Sequence, residues 1–421
     1  MGALGDRLLW RTTAVAAVMG LAGALLTVVF LEAFFVLRDL VWTDLPDALG
    51  MASPAAWFTV AVCALGGLLV GVARARLGEW PVTIETALAD FRRDRVFDTD
   101  HLWQAAVLSL ISLGFGAALG PEAALTALIG GFGTLIARFV HTSEAGRSSI
   151  TYLGIAGSLG ALFGHAGAAA IPLGVDPEEG EDDEPRGRLW LLVPGLAAAL
   201  AGAFVFRHVG SGGDYFSLDL PAYDLAAADL GWAVLPALGG VAVALAFVAV
   251  DGALTRVLAA VAERKVVLSV ASGLVLGGLG ATSALMLFSG HEGIRTLAGD
   301  PTATVGYLVL LALGKALAAN VCLAGGWKGG RFFPIMFCGV AAGLAVAAGV
   351  DEVGQTVAIA AGMAAALATL LGRPVAAAAL AVLFFPVDAW PLVVVGALVG
   401  AVAVRVLRAR APDLLGPAPP A

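Results

Sequence analysis

The sequence predicts an all-α integral membrane protein, an inverted-repeat bundle of many tilted and broken helices. Three observations predict it. First, 60% of the 421 residues are hydrophobic and only 13% are charged, against about 45–50% and about 25% in soluble domains. The mean hydropathy is +0.92. Second, several apolar runs approach the roughly 20 residues needed to cross a hydrocarbon core of about 30 Å. Third, one glycine- and alanine-rich stretch recurs in the second half of the chain.

The runs, in order, are Met19–Phe35, Trp57–Val72, Leu189–Val205, Leu230–Val250, Val266–Leu287, Val305–Leu323, Val357–Phe385 and Leu392–Val404. Backbone groups in lipid must be satisfied locally, which leaves helices or a closed barrel. The runs lack period-2 alternation, which excludes the barrel. The first run follows a charged start (Asp6, Arg7, Arg11) and is too long for the core of a cleavable leader. Arg405, Arg408 and Arg410 at the end, and Arg74, Arg76, Arg92, Arg93 and Arg95 early on, place those segments on the cytoplasmic side. A multi-pass protein of the plasma or inner membrane, with both termini cytoplasmic, is expected.

Cys63, Cys322 and Cys338 lie in apolar runs without metal or disulfide spacing and read as small buried hydrophobes. The net charge of −8 collects in Asp176–Glu184, a solvated loop. The sequence holds no Walker A loop, HExxH, paired CxxC or nucleotide fingerprint. An enzyme is therefore not expected, nor are a cofactor, a metal or a nucleic-acid partner.

The repeat aligns Gly154–Ala170 with Gly362–Ala378 at an offset of 208, with 8 of 17 positions identical. The same offset sets Glu122 opposite Gly330 and superposes two glycine-rich interruptions, GAALGPEAAL (116–125) and GGWKGGRFFP (325–334). One transmembrane domain results, with halves at 14–205 and 228–410 and a Pro-rich tail at 411–421. Matching breaks in two halves are a transporter pattern. A helix that starts in mid-membrane presents N–H groups and the positive end of its dipole, and both attract an anion.

Glu122 is the most informative residue, an acid in an apolar stretch with no basic residue within fifteen positions. Such a carboxylate is costly and functional by default. At a helix start it competes with an anion for the same donors and leaves when protonated or displaced. Lys328 and Arg331 flank Gly329–Gly330 and add positive potential, with snorkelling to the interface as the plainer reading. Lys315 lies mid-span, and the sequence does not name its partner. His165 and His291 read as packing histidines before proton relays.

At these residues the chain resembles the CLC family of chloride channels and proton-coupled anion antiporters, from about Trp57 to Arg408. The family pattern G-K/R-E-G-P resembles Gly120-Pro121-Glu122-Ala123-Ala124, which keeps the glycine and the glutamate. The family's GxFxP resembles Gly330-Arg331-Phe332-Phe333-Pro334 in full. Residues 362–385 are similar to a later family stretch, and Lys315 falls where members carry a basic residue.

The resemblance implies that Glu122 is the external gate. It also implies that the amides of Ala123, Arg331 and Phe332, beside Gly120, Gly330 and Pro334, line the anion path. It implies a homodimer in lipid that moves an inorganic anion, chloride first, with or without protons. The family's GSGIP has its nearest counterpart in Gly78-Glu79-Trp80-Pro81-Val82-Thr83, where Thr83 stands in for the serine. The family's pore tyrosine has no match. The internal proton-transfer glutamate has none either, and His208 is the titratable candidate there. Channel and antiporter both stay open, as do other anions. So do an organic-solute transporter and a non-transporting membrane scaffold.

Overall fold

The structure is a computed structural model that describes residues 7–81, 98–139, 185–209, 218, 220, 223–300 and 302–410. Helix α1 (Arg7–Asp39) runs on through a π-helical turn, Leu40–Asp44, into Leu45–Ala48. Then come α2 (Ala56–Leu77), α3 (Leu102–Gly114), α4 (Glu122–Phe139), α5 (Pro185–Val209), α6 (Ala227–Trp232) and α7 (Val234–Leu258). They are followed by α8 (Lys265–Thr282), α9 (His291–Ala298), α10 (Val305–Ala324), α11 (Phe332–Ala347), α12 (Gln355–Leu371), α13 (Pro374–Ala381) and α14 (Trp390–Arg410). Among the described residues, six stretches are long and apolar enough to cross a membrane: Leu9–Ala48, Ala56–Leu77, Ala227–Val261, Lys265–Thr282, Val305–Ala324 and Val387–Arg410. Others, such as Phe332–Ala347 and Gln355–Leu371, are apolar but shorter. The chain is an all-α membrane protein, as the composition predicts.

Two expected runs are corrected. Val357–Phe385 is not one span. Gly372 takes φ +64° and caps α12, Arg373 is extended, and Pro374 opens α13. Glycine accepts the left-handed conformation and proline suits a first helical turn, so the Gly-Arg-Pro triplet ends one helix and starts another. Val266–Leu287 stops early, because α8 ends at Thr282 and Ser283 is extended, its Oγ accepting from Leu285 N at 3.3 Å. Gly154–Ala170, the first copy of the repeat, lies outside the described residues, as do the acidic loop and the tail.

The chain forms two units that interleave in sequence. One comprises residues 1–36, 80–110 and 122–216. In it α1 meets α5 where a Cβ on Gly20 would collide with the Ala198 backbone, and Ala16 packs on Ala198. Gly131 of α4 likewise leaves room for the Leu102 side chain and the Asp98 carbonyl. Trp80 stacks on His101 at 4.1 Å between ring centroids, and His101 Nδ1 lies 2.8 Å from Asp98.

The second unit comprises residues 37–79, 111–121 and 217–421. Helices α2 and α8 approach closely through Gly67 and Gly71 on one side and Gly273 and Gly277 on the other. Lipid is as apolar as leucine, so helices associate through such backbone approach and not by hydrophobic exclusion. Gly339 and Gly343 of α11 seat against Gly362 and Ala358 of α12 in the same way, and Gly396 of α14 against Ala361. Asn320 of α10 donates to the Phe247 carbonyl of α7 at 3.0 Å.

Candidate functional site

The two glycine-rich interruptions pair with each other. Gly120 and Gly330 form an antiparallel bridge in which Gly120 N donates to Gly330 O at 2.9 Å and Gly330 N donates to Gly120 O at 2.7 Å. Both glycines are buried. Each is followed at once by a helix: Glu122 is the first residue of α4, and Phe332 the first of α11 after the N-cap Arg331. First-turn N–H groups point out of the helix end, since no carbonyl lies four residues back. A helix that starts from such a loop presents donors and the positive end of its dipole to an anion.

The first break is held by its neighbours. Gly116, at φ +93°, accepts from Phe288 N at 3.2 Å. Trp42 Nε1 donates to Gly114 O at 2.9 Å, and its ring meets Phe288 edge-on at 5.5 Å. Ser112 Oγ accepts from Lys328 N at 2.9 Å, tying the first break to the second. Gly329 abuts Leu119, where a Cβ would come within 2.6 Å of the Leu119 Cβ.

The second break is held by Arg74. Its Nη1 donates to the Gly325 carbonyl at 2.8 Å and to Ser269 Oγ at 3.0 Å, and its guanidinium fills the place a side chain at Gly326 would need. Trp327, almost fully buried, donates from Nε1 to the Ser269 carbonyl at 3.2 Å.

Of the residues the sequence singled out, Gly120, Glu122, Ala123, Gly330 and Pro334 are buried, with Glu122 5% exposed, and Arg331 and Phe332 are partly so. Arg331 Nη1 lies 3.9 Å from Asp251 of α7. Lys315 is 0% exposed, and its Nζ lies 2.6 Å from the carbonyls of Leu287 and Phe288, 3.1 Å from Leu285 O and 3.4 Å from Met286 O. Its partners are therefore backbone carbonyls, with the Phe337 ring 5.5 Å away. Through Phe288 it supports the first break. Lys328 does not reach outward; its Nζ pairs with Glu79 at 3.1 Å. His291 is buried. His208 is exposed, bonded to the Phe204 carbonyl at 2.8 Å and stacked on its ring. Thr83 and His165 lie outside the described residues.

A family model described as voltage gated chloride channel matches residues 60–408. The chain belongs to this family. Among curated relatives, "Putative ion-transport protein YfeO" of Escherichia coli (strain SMS-3-5 / SECEC) is 31% identical over 346 residues, 78% of this chain and 77% of the relative. The protein of the same name from Shigella flexneri is 31% identical over 347 residues, with the same coverage. The crystal structure of a slow cyanobacterial Cl−/H+ antiporter superposes with a TM-score of 0.75 at 18% identity, covering 95% of each chain. That of a CLC-type fluoride/proton antiporter gives 0.73 at 16% identity, covering 94% of this chain and 96% of the other. The CLC fold is thus shared across nearly the whole chain.

Within this CLC chain, sequence reasoning passed over Arg74 and Glu79. Arg74 counted as a topology marker, and Glu79 as one letter in a degenerate motif. The sequence signal reaches only their mutual pair, an arginine in the last turn of α2 followed five residues later by an acid; the structure turns the chain between them at Gly78, φ +94°. Arg74 donates from Nε and Nη2 to the Glu79 oxygens at 2.9 and 3.0 Å. Burial alone would raise the Glu79 carboxyl. The hydrogen bond from Arg74 and the charges of Lys328 and Arg74 outweigh it and bring the pKa down to about 2.

Proposed function

We propose that this CLC protein moves a small inorganic anion, chloride first, past the first-turn amides of α4 and α11, with Glu122 as the gate. The observation that carries the reading is the buried Gly120–Gly330 bridge, from which two helices start directly. Backbone donors suit an anion that must leave again, because they hold it without a full countercharge. Glu122, as a carboxylate in the first turn of α4, is an internal competitor for such donors. Anions then hop between amide sites, while Ala123, Arg331 and Phe332 contribute N–H groups and Gly120, Gly330 and Pro334 shape the breaks.

The protein works as a homodimer in the plasma or inner membrane, with both termini cytoplasmic. The arginines after residue 404 favour that orientation. Proton coupling is a second reading, favoured by the likeness to two proton antiporters. His208 is the group offered for the internal proton step.

The test is efflux from proteoliposomes loaded with chloride, with external pH recorded in parallel. Chloride leaving with stoichiometric proton movement supports exchange, and chloride leaving alone supports a channel. Glu122→Gln should remove the pH dependence of flux, and an unchanged pH dependence sinks the gating role. Repeating the assay with fluoride, nitrate and bicarbonate defines selectivity. Failure of every anion rejects the reading.

A further inference from the structure

Glu79 follows the C-terminus of α2 and receives three cations. Beside the two bonds from Arg74, Lys265 Nζ lies 3.1 Å from Oε1 and Lys328 Nζ 3.1 Å from Oε2. Among the described residues no second carboxylate pairs with Arg74, Lys265 or Lys328. Three positive groups against one negative group leave an excess of two positive charges. The Arg74 and Lys328 side chains are only 9% and 14% exposed, whereas the Glu79 side chain is 43% exposed. Arg74 and Lys328 therefore lie deeper than the acid, while Lys265, 38% exposed, stands beside it at the surface.

One cation would satisfy one carboxylate, so this excess is not explained by ion pairing alone. Like charges gathered in a partly dehydrated place are unfavourable until an anion joins them. The donors that hold the Glu79 oxygens are the donors a halide takes. The place is also continuous with the breaks. Lys328 is two residues from Gly330, and its own N–H is fixed by Ser112.

We propose that Arg74, Lys265 and Lys328 form a binding site for a small inorganic anion and that Glu79 is its tethered competitor, swinging off the cations as the anion arrives. The inference rests on the anion-transport reading and adds to it a second carboxylate that acts by displacement. Because the cations hold Glu79 ionised, it yields to anion concentration, whereas the role proposed for Glu122 includes protonation.

The experiment is isothermal titration of chloride, then bromide, onto the purified full-length protein in detergent. Glu79→Gln should bind roughly tenfold tighter, since it removes a charged competitor from hydrogen-bonded cations. Lys265→Gln should bind roughly threefold weaker. Unchanged affinity in both variants, or no binding of either halide by any form, overturns the proposal and leaves Glu79 a structural clasp. Should Glu79→Gln fail to fold, Lys265→Gln decides alone, because that side chain is 38% exposed and makes a single ion pair. Flux separates this failure from failure of the transport reading. Glu122→Gln altering pH dependence while Glu79→Gln leaves binding unchanged rejects only the Glu79 site. Tighter binding in Glu79→Gln with no flux of any anion rejects only transport.

Discussion

Gly120 and Gly330 exchange two backbone hydrogen bonds across 210 positions of sequence, at 2.9 and 2.7 Å, and so join the two interrupted segments into one short antiparallel pair. The repeat offset instead sets Glu122, not Gly120, opposite Gly330. Equivalence in sequence and contact in space are thus two residues apart, and the pairing is between loops and not between like positions.

Close packing around this bridge predicts the effect of one methyl group. A Cβ at Gly329 meets Leu119 Cβ at 2.6 Å and the Gly120 carbonyl at 3.0 Å. Gly329→Ala should therefore cost about 1–3 kcal/mol, read as a lower unfolding midpoint in detergent. Gly231→Ala, with nothing near its Cβ position, is the control and should not lower the midpoint.

Lys315→Met should be more damaging. It keeps the volume and removes the ammonium from a segment of four carbonyls. Each buried acceptor left without a donor costs about 1–3 kcal/mol. Loss of monodisperse protein on size exclusion is the expected outcome. A Met variant as stable as the wild type would mean that the carbonyls find other donors.

Glu79 gives a pH signature. Its carboxyl is held below its unfolded value, so the stability it adds is fully present above about pH 4.5 and is lost as pH falls toward about 2. After discounting for solvent screening at a half-exposed group, the contribution is about 1 kcal/mol. The difference in unfolding midpoint between wild type and Glu79→Gln should be flat from pH 8 to pH 5 and shrink below. A difference that grows on acidification would contradict the assignment.

Arg331 and Asp251 face each other at 3.9 Å, so they should act on the anion in opposite directions. Arg331→Ala should raise the half-saturating anion concentration roughly threefold and Asp251→Asn should lower it by a similar factor, as expected of a partly exposed charge. Concentration-dependent flux in proteoliposomes measures both. Equal half-saturation in all three proteins would place Arg331 away from the path.

The architecture was legible because lipid imposes a simple code of long apolar runs broken by glycine and proline. Where one run hid a break, as at Gly372–Pro374, hydropathy averaged over it, although the residues that turn the chain were in view. The two interruptions and Glu122 were legible because a charge or a glycine cluster inside apolar sequence stands out. Arg74 was not. Its partners Ser269 and Gly325 are 195 and 251 residues away, and a basic residue at a helix end is ordinarily solvated. The partner of Lys315 was hidden for another reason: backbone carbonyls carry no sequence signature.

That lysine bears on how the chain is made. A lone ammonium at the centre of a membrane-crossing helix costs about 2.5–3.5 kcal/mol at the insertion step. The carbonyls that receive it precede it by 27 to 30 residues, so they have already left the ribosome when Lys315 emerges. α10 is therefore stabilised by docking onto a segment synthesised before it and not by entering lipid alone. The order of synthesis, receiver first and charge second, suits the structure that results.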